Sequence, residues 1–336
     1  MGVTIRDVAR AAGVSVTTAS RAFNNKDDVH PATRARVHEA AQRLGYVPDY
    51  RARGLVLGHT RTLGALIADN ANPVYSETLR GMESVAHRAG YGLLLCNAGE
   101  SQEQALSCLA TLQTNRVEGV LITPVQTDRR DIEQLQQMDT PFIQVLRHFD
   151  DLAADYVVAD HALGGYLVSA HLLDLGHRRL AHIAGPPHLS TSQSRLAGYR
   201  RALAERGLPY DEDLVARGNF TPAGGYEAAM RLLQRPDRPT AIFAGNDLQA
   251  VGVLKAARAL GLRVPEDVAL AGGDDIPLAD VLEVPLTTFH VPLFDIGARA
   301  AEILLSKLAG ASSGLQQIVY PPALVVRRSS GAKIGG

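Results

Sequence analysis

Residues 4–21 read TIRDVARAAGVSVTTASR, and this stretch decides the fold of the N-terminal end. Thr4 followed by Asp7 predicts a capping box at the start of a first helix, because the two side chains can satisfy the free N–H groups of the first turn. Apolar residues between Ile5 and Ala12 keep helical spacing, and Gly13 predicts the end of the helix.

Two more short helices are expected in the same segment. Ser15 predicts the cap of a helix over Val16–Phe23, only a two-residue turn after Gly13, and a third helix is expected from about Pro31 to Leu44. Two short helices joined by a tight, glycine-containing turn are typical of a helix-turn-helix.

Charge separates this segment from the rest of the chain. Residues 1–60 contain nine Lys and Arg against five Asp and Glu, a net charge of +4, whereas the remaining residues contain 25 against 30, a net charge of −5. A small basic head on a mildly acidic body predicts an anionic partner for the head alone.

Composition excludes several protein classes. The 336 residues are 46% hydrophobic and 21% charged, which is typical of a soluble globular protein of two or three domains. With no apolar run of roughly 18 residues and no signal-peptide pattern, we expect a cytoplasmic protein without a membrane partner. Cys96 and Cys108 lack metal-binding spacing, and so do His171, His177 and His182, so neither a metal nor another cofactor is predicted.

Residues 47–60 form a linker in this interpretation. Pro48 and Gly58 bracket one or two possible helical turns, which Gly54 weakens by about 1 kcal/mol relative to Ala. Such a segment, isolated in water, is expected to be mostly unfolded.

From Leu63 onward, short apolar runs alternate with helix-like segments, which favours parallel sheets covered by helices on both faces. The number of units predicts two successive α/β lobes with a break near Asp160, and a ligand cleft between the carboxyl ends of their strands. The predicted strands are Leu63–Ile67, Gly92–Cys96, Gly119–Ile122, Phe142–Leu146, Tyr156–Val158, Leu180–Ala184, Thr240–Ala244 and Val268–Ala271. The predicted helices include Tyr75–Ala89, Leu163–Leu175, Ser194–Arg206, Gly224–Leu233 and Asp247–Leu260.

The chain resembles the lactose/galactose repressor (LacI/GalR) family. The resemblance begins with residues 4–21, continues with Tyr46-Val47-Pro48 and Ala52-Arg53-x-Leu55, and extends over nearly the whole chain. Further matches, in order, are Asn72-Pro73, Leu175-Gly176-His177-Arg178-Arg179, Ala184-Gly185-Pro186, Arg195-Leu196-Ala197-Gly198-Tyr199, Gly245-Asn246-Asp247, Val264-Pro265-Glu266-Asp267-Val268, Asp274-Asp275 and Pro285-Leu286-Thr287-Thr288.

The resemblance implies a fold class: an all-α helix-turn-helix head followed by an α/β body of two doubly wound parallel-sheet lobes, like a periplasmic binding protein. The implied domains are a DNA-binding domain (1–46), a hinge helix (47–60), an N-terminal effector-binding lobe (61–160 plus 291–322) and a C-terminal effector-binding lobe (161–290 plus 323–330).

The resemblance also implies which residues contact DNA. The N-terminal residues of the second helix face base edges in the major groove. The expected base-reading residues are Val16, Thr17 and Arg21: Val16 suits a thymine methyl and Arg21 a guanine. Helix packing for Val16, and a phosphate or intrahelical salt bridge for Arg21, remain as alternatives. The expected phosphate contacts are Ser15, Thr18 and Ser20.

In the hinge, the resemblance places Ala52, Arg53 and Leu55 at the minor groove, with Leu55 as an apolar wedge between base pairs. Asp49 and Gly54 depart from the family pattern, so this helix is expected to form less readily or to depend more on the effector. One recognition helix covers half a site, so we expect a homodimer on a palindromic double-stranded operator.

In the cleft, the resemblance implies an effector, a carbohydrate or a derivative, held by charge-assisted and bidentate hydrogen bonds. The implied effector-binding residues are Tyr75, Thr123, Arg147, Thr191, Arg195, Phe220, Asn246 and Asp274. Core packing for Phe220 and a structural cap for Asp274 remain as alternatives. Asp247 is expected to cap the helix that follows it, and for Asn246 a cap role and effector binding can coexist. Leu146 stands where the family commonly has Asp and Gly273 where it has an aromatic, so the ligand lacks a hydroxyl there, is bulkier, or binds differently.

Together these observations predict a ligand-responsive, sequence-specific transcriptional regulator, with repression favoured over activation and no enzymatic activity. A stand-alone sugar-binding protein is the alternative, but it leaves the basic head without a role. A nucleotide-using enzyme lacks support, because the chain contains no GxGxxG in the first βα unit, no GxxxxGK[ST] and no GxSxG.

Overall fold

The computed structural model describes residues 3–23, 28–46, 59–126, 128–311 and 314–331. Contacts between residues divide the chain into two units, Met1–Arg61 and Thr62–Gly336. None of the helices within the described ranges is long and apolar enough to cross a membrane.

The first unit contains three helices: α1 (Ile5–Ala12), α2 (Val16–Phe23) and α3 (Pro31–Leu44). The Asp7 carboxylate accepts hydrogen bonds from the Thr4 N–H at 3.0 Å and the Thr4 hydroxyl at 2.7 Å, and Ser15 Oγ accepts from the Thr18 N–H at 3.0 Å. The three helices and the glycine that ends α1 are therefore as predicted.

The second unit alternates strands and helices. Its strands are β1 (Thr62–Ile67), β2 (Gly92–Asn97), β3 (Gly119–Ile122), β4 (Phe142–Val145), β5 (Tyr156–Ala159), β6 (Leu180–Ala184), β7 (Val215–Arg217), β8 (Ala241–Ala244), β9 (Ala269–Ala271), β10 (Thr288–His290), β11 (Gln317–Tyr320) and β12 (Ala323–Val325). Its helices are α4 (Pro73–Arg88), α5 (Gln102–Thr114), α6 (Arg130–Gln137), α7 (His161–Asp174), α8 (Ser190–Glu205), α9 (Pro222–Leu233), α10 (Asp247–Ala259), α11 (Leu278–Val281) and α12 (Leu293–Leu308).

These strands form two parallel sheets, as the alternating pattern predicts. The first sheet has the order β11-β5-β4-β3-β1-β2 and the second the order β7-β6-β8-β9, and every neighbouring pair in both is parallel. The two remaining strands, β10 and β12, form a short antiparallel pair. The first sheet thus takes strands from residues 62–159 and 317–320, but the exact division into two lobes stays a prediction.

The helices α5, α6, α11 and α12 and the strands β7, β10, β11 and β12 are not among the predicted elements. The four missing strands have only three or four residues, and most of their residues are partly or fully exposed. The predicted strands β3, β4, β5, β8 and β9 are equally short, but almost all of their residues are buried, so they form continuous apolar runs that the sequence shows.

A pair of glycines sets the distance between α7 and α8. A Cβ on Gly165 would lie 2.3 Å from the carbonyl oxygen of Arg195, and a Cβ on Gly198 would lie 2.1 Å from that of Ala162. No larger residue fits at either position without separating the helices. This close crossing brings the backbone of Arg195 against α7, whose first residue is His161.

Candidate functional site

A cavity of about 40 Å³ in the second unit brings together residues that follow strands of both sheets. Seven of the predicted effector residues line it: Tyr75, Arg147, Thr191, Arg195, Phe220, Asn246 and Asp274. Its volume corresponds to a few water molecules at most. A ring-sized ligand therefore requires these walls to move apart.

Arg195, on α8, is the centre of the hydrogen-bond network in the cavity. Its guanidinium forms a salt bridge with Asp274, donates to the carbonyl oxygen of Gly245, and reaches Nδ1 of His161 at 3.1 and 3.3 Å. Only 6% of the Arg195 side chain and 7% of the Asp274 side chain are exposed, so solvent screens this pair weakly. The same guanidinium lies 5.0 Å from the ring centre of Phe289.

Burial and the charge of Arg195 shift the pKa values of two neighbours, His161 and Asp274. Burial and the positive charge of Arg195 lower the pKa of His161 well below its usual value, so the imidazole is neutral and its Nδ1 accepts from Arg195. Burial raises the pKa of Asp274, and Arg195 opposes that rise. The side of the cavity formed by the second sheet therefore presents a matched ion pair and a neutral ring.

Arg147 follows β4 and forms a second ion pair. It donates to the two carboxylate oxygens of Glu100 at 2.7 and 2.8 Å and to the Tyr75 hydroxyl at 2.9 Å. Because Tyr75 is buried, its pKa is raised and its hydroxyl keeps its proton. The first-sheet side of the cavity thus also presents a guanidinium whose charge is matched by a carboxylate.

At the start of α10, the cap role expected for Asp247 is wrong, whereas the cap role considered for Asn246 is confirmed. Asn246, not Asp247, is the N-cap residue: its Oδ1 accepts from the Gln249 N–H at 2.9 Å, while its amide nitrogen reaches the Phe220 carbonyl at 3.4 Å. Asp247 instead accepts from the Thr288 hydroxyl at 2.7 Å and the Ile276 N–H at 2.9 Å. Complete burial, together with the nearby Asp274 charge, raises the pKa of Asp247 to about 8. It joins β10 to the loop after β9 rather than capping α10.

The two departures at the cavity have structural counterparts. Leu146 lines the cavity with its backbone in the left-handed region at φ +67°. At Gly273, a Cβ would lie 2.5 Å from the ring of Phe289, the same ring that lies against Arg195. The space beside residue 273 is therefore already filled by an aromatic side chain that comes from β10.

Thr123 is the one predicted effector residue that does not line this cavity. It is 1% exposed, its N–H donates to Leu66, and its hydroxyl has no hydrogen-bond partner in the part of the chain that the structure describes. Its role stays a prediction.

Sequence reasoning missed two polar partners in this region, Glu100 and His161. Each contacts an arginine that is far away in sequence: Glu100 lies 47 positions from Arg147, and His161 lies 34 positions from Arg195. Glu100 has a backbone φ of +56°, which is unusual for a residue other than glycine, but no local sequence pattern reports it.

On the first unit, α2 presents the expected base-reading residues to solvent. Val16 is 44% exposed, and Thr17 and Arg21 are exposed, whereas Ala19 and Ala22 on the opposite face are fully buried. Arg21 forms a salt bridge with Asp28, and both side chains are about half exposed. Such a surface pair contributes roughly 0–1 kcal/mol, so DNA can displace it at little cost.

Ser15, Thr18 and Ser20 lie at or within the same helix, with Ser15 exposed and the other two partly exposed. The predicted hinge residues Ala52, Arg53 and Leu55, and the departures at Asp49 and Gly54, lie outside the described residues.

Comparisons with known proteins agree with this arrangement. Residues 4–49 match the model of bacterial regulatory proteins of the lacI family, and residues 169–330 match that of the periplasmic binding protein-like domain. The ribose operon repressor of Escherichia coli K12 is 38% identical over 97% of this chain and 99% of its own length. The transcriptional repressor PurR of Vibrio campbellii is 36% identical over 97% of this chain and 98% of its own length.

Two solved structures extend the comparison to the fold. The lac repressor dimer bound to operator and the anti-inducer ONPF has a TM-score of 0.87 at 27% identity and covers 98% of this chain and 99% of that one. A complex of the transcriptional regulator CelR with cellobiose has a TM-score of 0.77 at 34% identity and covers 97% of this chain and 99% of that one. Sequence and fold lead to one conclusion: the chain belongs to the lacI family of bacterial regulatory proteins.

Proposed function

We propose that this protein is a transcriptional repressor that binds a palindromic operator as a homodimer and responds to a small-molecule effector. The exposed Val16, Thr17 and Arg21 of α2 support a major-groove interface, because they lie opposite the face that packs in the core of the first unit. The repressors named above and the lac repressor dimer on its operator support the same role.

The effector in this proposal is an uncharged carbohydrate or a close derivative. The observation that carries it is the charge balance of the cavity: Arg147 pairs with Glu100, Arg195 pairs with Asp274, and His161 is neutral. An anionic ligand would leave a carboxylate without a partner, whereas sugar hydroxyls can share these guanidinium and carboxylate groups. Ribose and cellobiose are bound in two similar structures.

The proposed mechanism couples the cavity to the DNA interface. Because both sheets contribute walls, a ligand that fits only after those walls move changes how the two lobes are arranged. In the dimer this change separates or pairs the two hinge segments that carry Ala52, Arg53 and Leu55. Linkage makes the coupling reciprocal, so operator DNA changes effector affinity by the same factor.

The test is selection of palindromic duplexes from a random pool with the full-length protein, followed by gel-shift titration with D-ribose, cellobiose and other neutral sugars. We expect nanomolar-range binding to a selected palindrome and a shift in affinity with at least one sugar. The Thr17→Ala/Arg21→Ala variant is the matched control, because it alters the exposed face of α2 alone. Equal affinity for every duplex, with and without sugars, would refute the proposal.

A stand-alone sugar-binding protein does not account for the helix-turn-helix unit or for relatives that are repressors over their whole length. We infer a binding role rather than a catalytic role for the cavity, and we place the protein in the cytoplasm with its DNA.

A further inference from the structure

Gln126, in the loop after β3, connects the two sides of the cavity through its side-chain amide. Its Oε1 accepts hydrogen bonds from the Ser190 N–H at 2.9 Å and the Ser190 hydroxyl at 3.1 Å, and its Nε2 donates to the His148 carbonyl at 2.6 Å. The loops after β3 and β4 belong to the first sheet, whereas Ser190 begins α8, beside the second sheet. One amide therefore joins the two halves of the second unit.

The contact with Ser190 replaces a cap that α8 lacks. The residue at the N-cap position, Leu189, has no side chain that can accept a hydrogen bond from the first turn. Free N–H groups at a helix start need an acceptor, and an amide oxygen is a good one. Here the acceptor comes from the other side of the cavity, 64 residues away in sequence.

The position of Gln126 relates this contact directly to the ligand-binding residues. His148 is the residue after Arg147, and Ser190 is the residue before Thr191, and both Arg147 and Thr191 line the cavity. Any movement that separates these two walls breaks at least one bond of Gln126.

The backbone at Gln126 provides a second, independent observation. Its φ of +65° lies in the left-handed region, which costs a residue other than glycine roughly 1 kcal/mol, yet the residue is 92% buried and bears a long polar side chain. Glycine would adopt this conformation without that cost. A glutamine here is explained by its side-chain contacts.

We propose that Gln126 is a positioning residue that caps α8 across the cavity, so that closure of the two lobes and the placement of Thr191 and Arg195 occur together. This inference rests on the proposed function for its role in regulation, but not for the contact itself. A ligand that opens the walls loses this cap, and a ligand that fits between closed walls keeps it.

The test compares two substitutions in the full-length protein without added sugar. Gln126→Met keeps the length and volume of the side chain but removes all three hydrogen bonds. Gln126→Glu loses the donor to the His148 carbonyl but keeps the acceptor for Ser190, and a carboxylate is favourable at a helix start, so this variant tests the cap alone. Gln193→Ala is the matched control, because Gln193 lies in the same turn of α8 and bonds Pro187 of its own side of the cavity.

The first measurement is hydrogen–deuterium exchange resolved to the Ser190 amide, and we expect about a fivefold to tenfold faster exchange in Gln126→Met. Exchange in Gln126→Glu and Gln193→Ala is expected to match the unsubstituted protein. The second is the distance between non-thiol spin labels that replace the exposed Glu103 and Glu227, one on each side of the cavity. We expect a longer mean distance in Gln126→Met only.

Unchanged exchange and an unchanged label distance in Gln126→Met would overturn the proposal, and so would an equal effect in Gln126→Glu. Operator gel shifts on the same samples separate this result from failure of the proposed function. If neither the unsubstituted protein nor any variant prefers an operator sequence, the repressor role is wrong. The exchange measurement still decides the role of Gln126 in that case.

Discussion

Replacement of Arg195 by methionine tests how much the buried ion pair of the cavity stabilises the second unit. Methionine keeps most of the aliphatic volume but removes the guanidinium, which leaves the Asp274 carboxylate, 7% exposed, without its partner. Breaking a buried pair in this way costs about 3–5 kcal/mol. At roughly 2–4 °C for each kcal/mol in a unit of this size, Tm should fall by about 10 °C.

A second substitution separates the loss of charge compensation from the loss of packing. In Arg195→Met/Asp274→Asn no unpaired charge remains, and the losses reduce to the bonds that Arg195 makes with Gly245 and His161, about 1 kcal/mol each. The double variant should therefore be more stable than Arg195→Met alone. Arg201→Met is the control, because Arg201 lies on the same helix in an exposed pair with Glu205 and should change stability by less than about 1 kcal/mol.

The effect of pH has a definite sign. Burial raises the pKa of Asp274, and without Arg195 to oppose that rise the carboxyl keeps its proton to a higher pH. The unfolded chain releases this proton near pH 4. The stability that Arg195→Met loses through Asp274 is therefore absent below that pH, and it grows as pH increases toward the raised pKa of Asp274 in the folded variant. In differential scanning calorimetry, the gap between the unsubstituted protein and Arg195→Met should narrow from pH 8 to pH 5. A Tm loss no larger than that of Arg201→Met, or a double variant no more stable than Arg195→Met alone, would refute the reasoning.

Three further predictions concern other residues. Burial raises the pKa of Asp247 to about 8, above its value in the unfolded chain, so the free energy of unfolding falls as pH rises between about 4 and 8. Asp247→Asn lacks this ionisation, and in thermal melts it should gain stability relative to the unsubstituted protein as pH rises from 6 to 9. A stability difference that does not depend on pH would contradict this. Arg21→Ala should reduce operator affinity by about 1–3 kcal/mol in gel shifts, with the loss confined to operators that keep the contacted guanine; an equal loss on every sequence would make Arg21 a phosphate contact. Leu55→Gly should weaken operator binding in gel shifts and leave the effector affinity measured by calorimetry unchanged, and the hinge mechanism fails if neither changes.

Local chemistry made much of the fold predictable. The Asp7 carboxylate at Thr4, the glycine at position 13 and the hydroxyl of Ser15 act within three or four residues of the helix ends that they define, so sequence spacing alone reports them. The long apolar strands of both sheets were predicted within a residue or two for the same reason. The three-residue strand β10, by contrast, is held by pairing with β12 more than 30 positions later, which no local pattern encodes.

The cavity shows the same limit more sharply. The resemblance indicated Arg147, Arg195 and Asp274, and the structure places all three along one cavity. Two further partners, Glu100 and His161, could not be predicted: Glu100, for example, meets Arg147 only after β2 and β4 have taken their places in the first sheet. Gln126 is a further case, since its amide acts on a helix 64 positions later whose N-cap position, Leu189, only the structure reveals.

Shared space between positions 273 and 289 restricts how a new ligand preference can arise. The Phe289 ring stands 2.5 Å from where a β-carbon on Gly273 would be, so enlarging residue 273 alone produces a collision. Enlarging residue 273 alone should destabilise the protein by overpacking, whereas paired exchange, with a small residue at 289 and a ring at 273, keeps the summed volume nearly constant. Among homologues, a large side chain at position 273 should therefore occur with a small one at position 289, and a small one at 273 with a large one at 289.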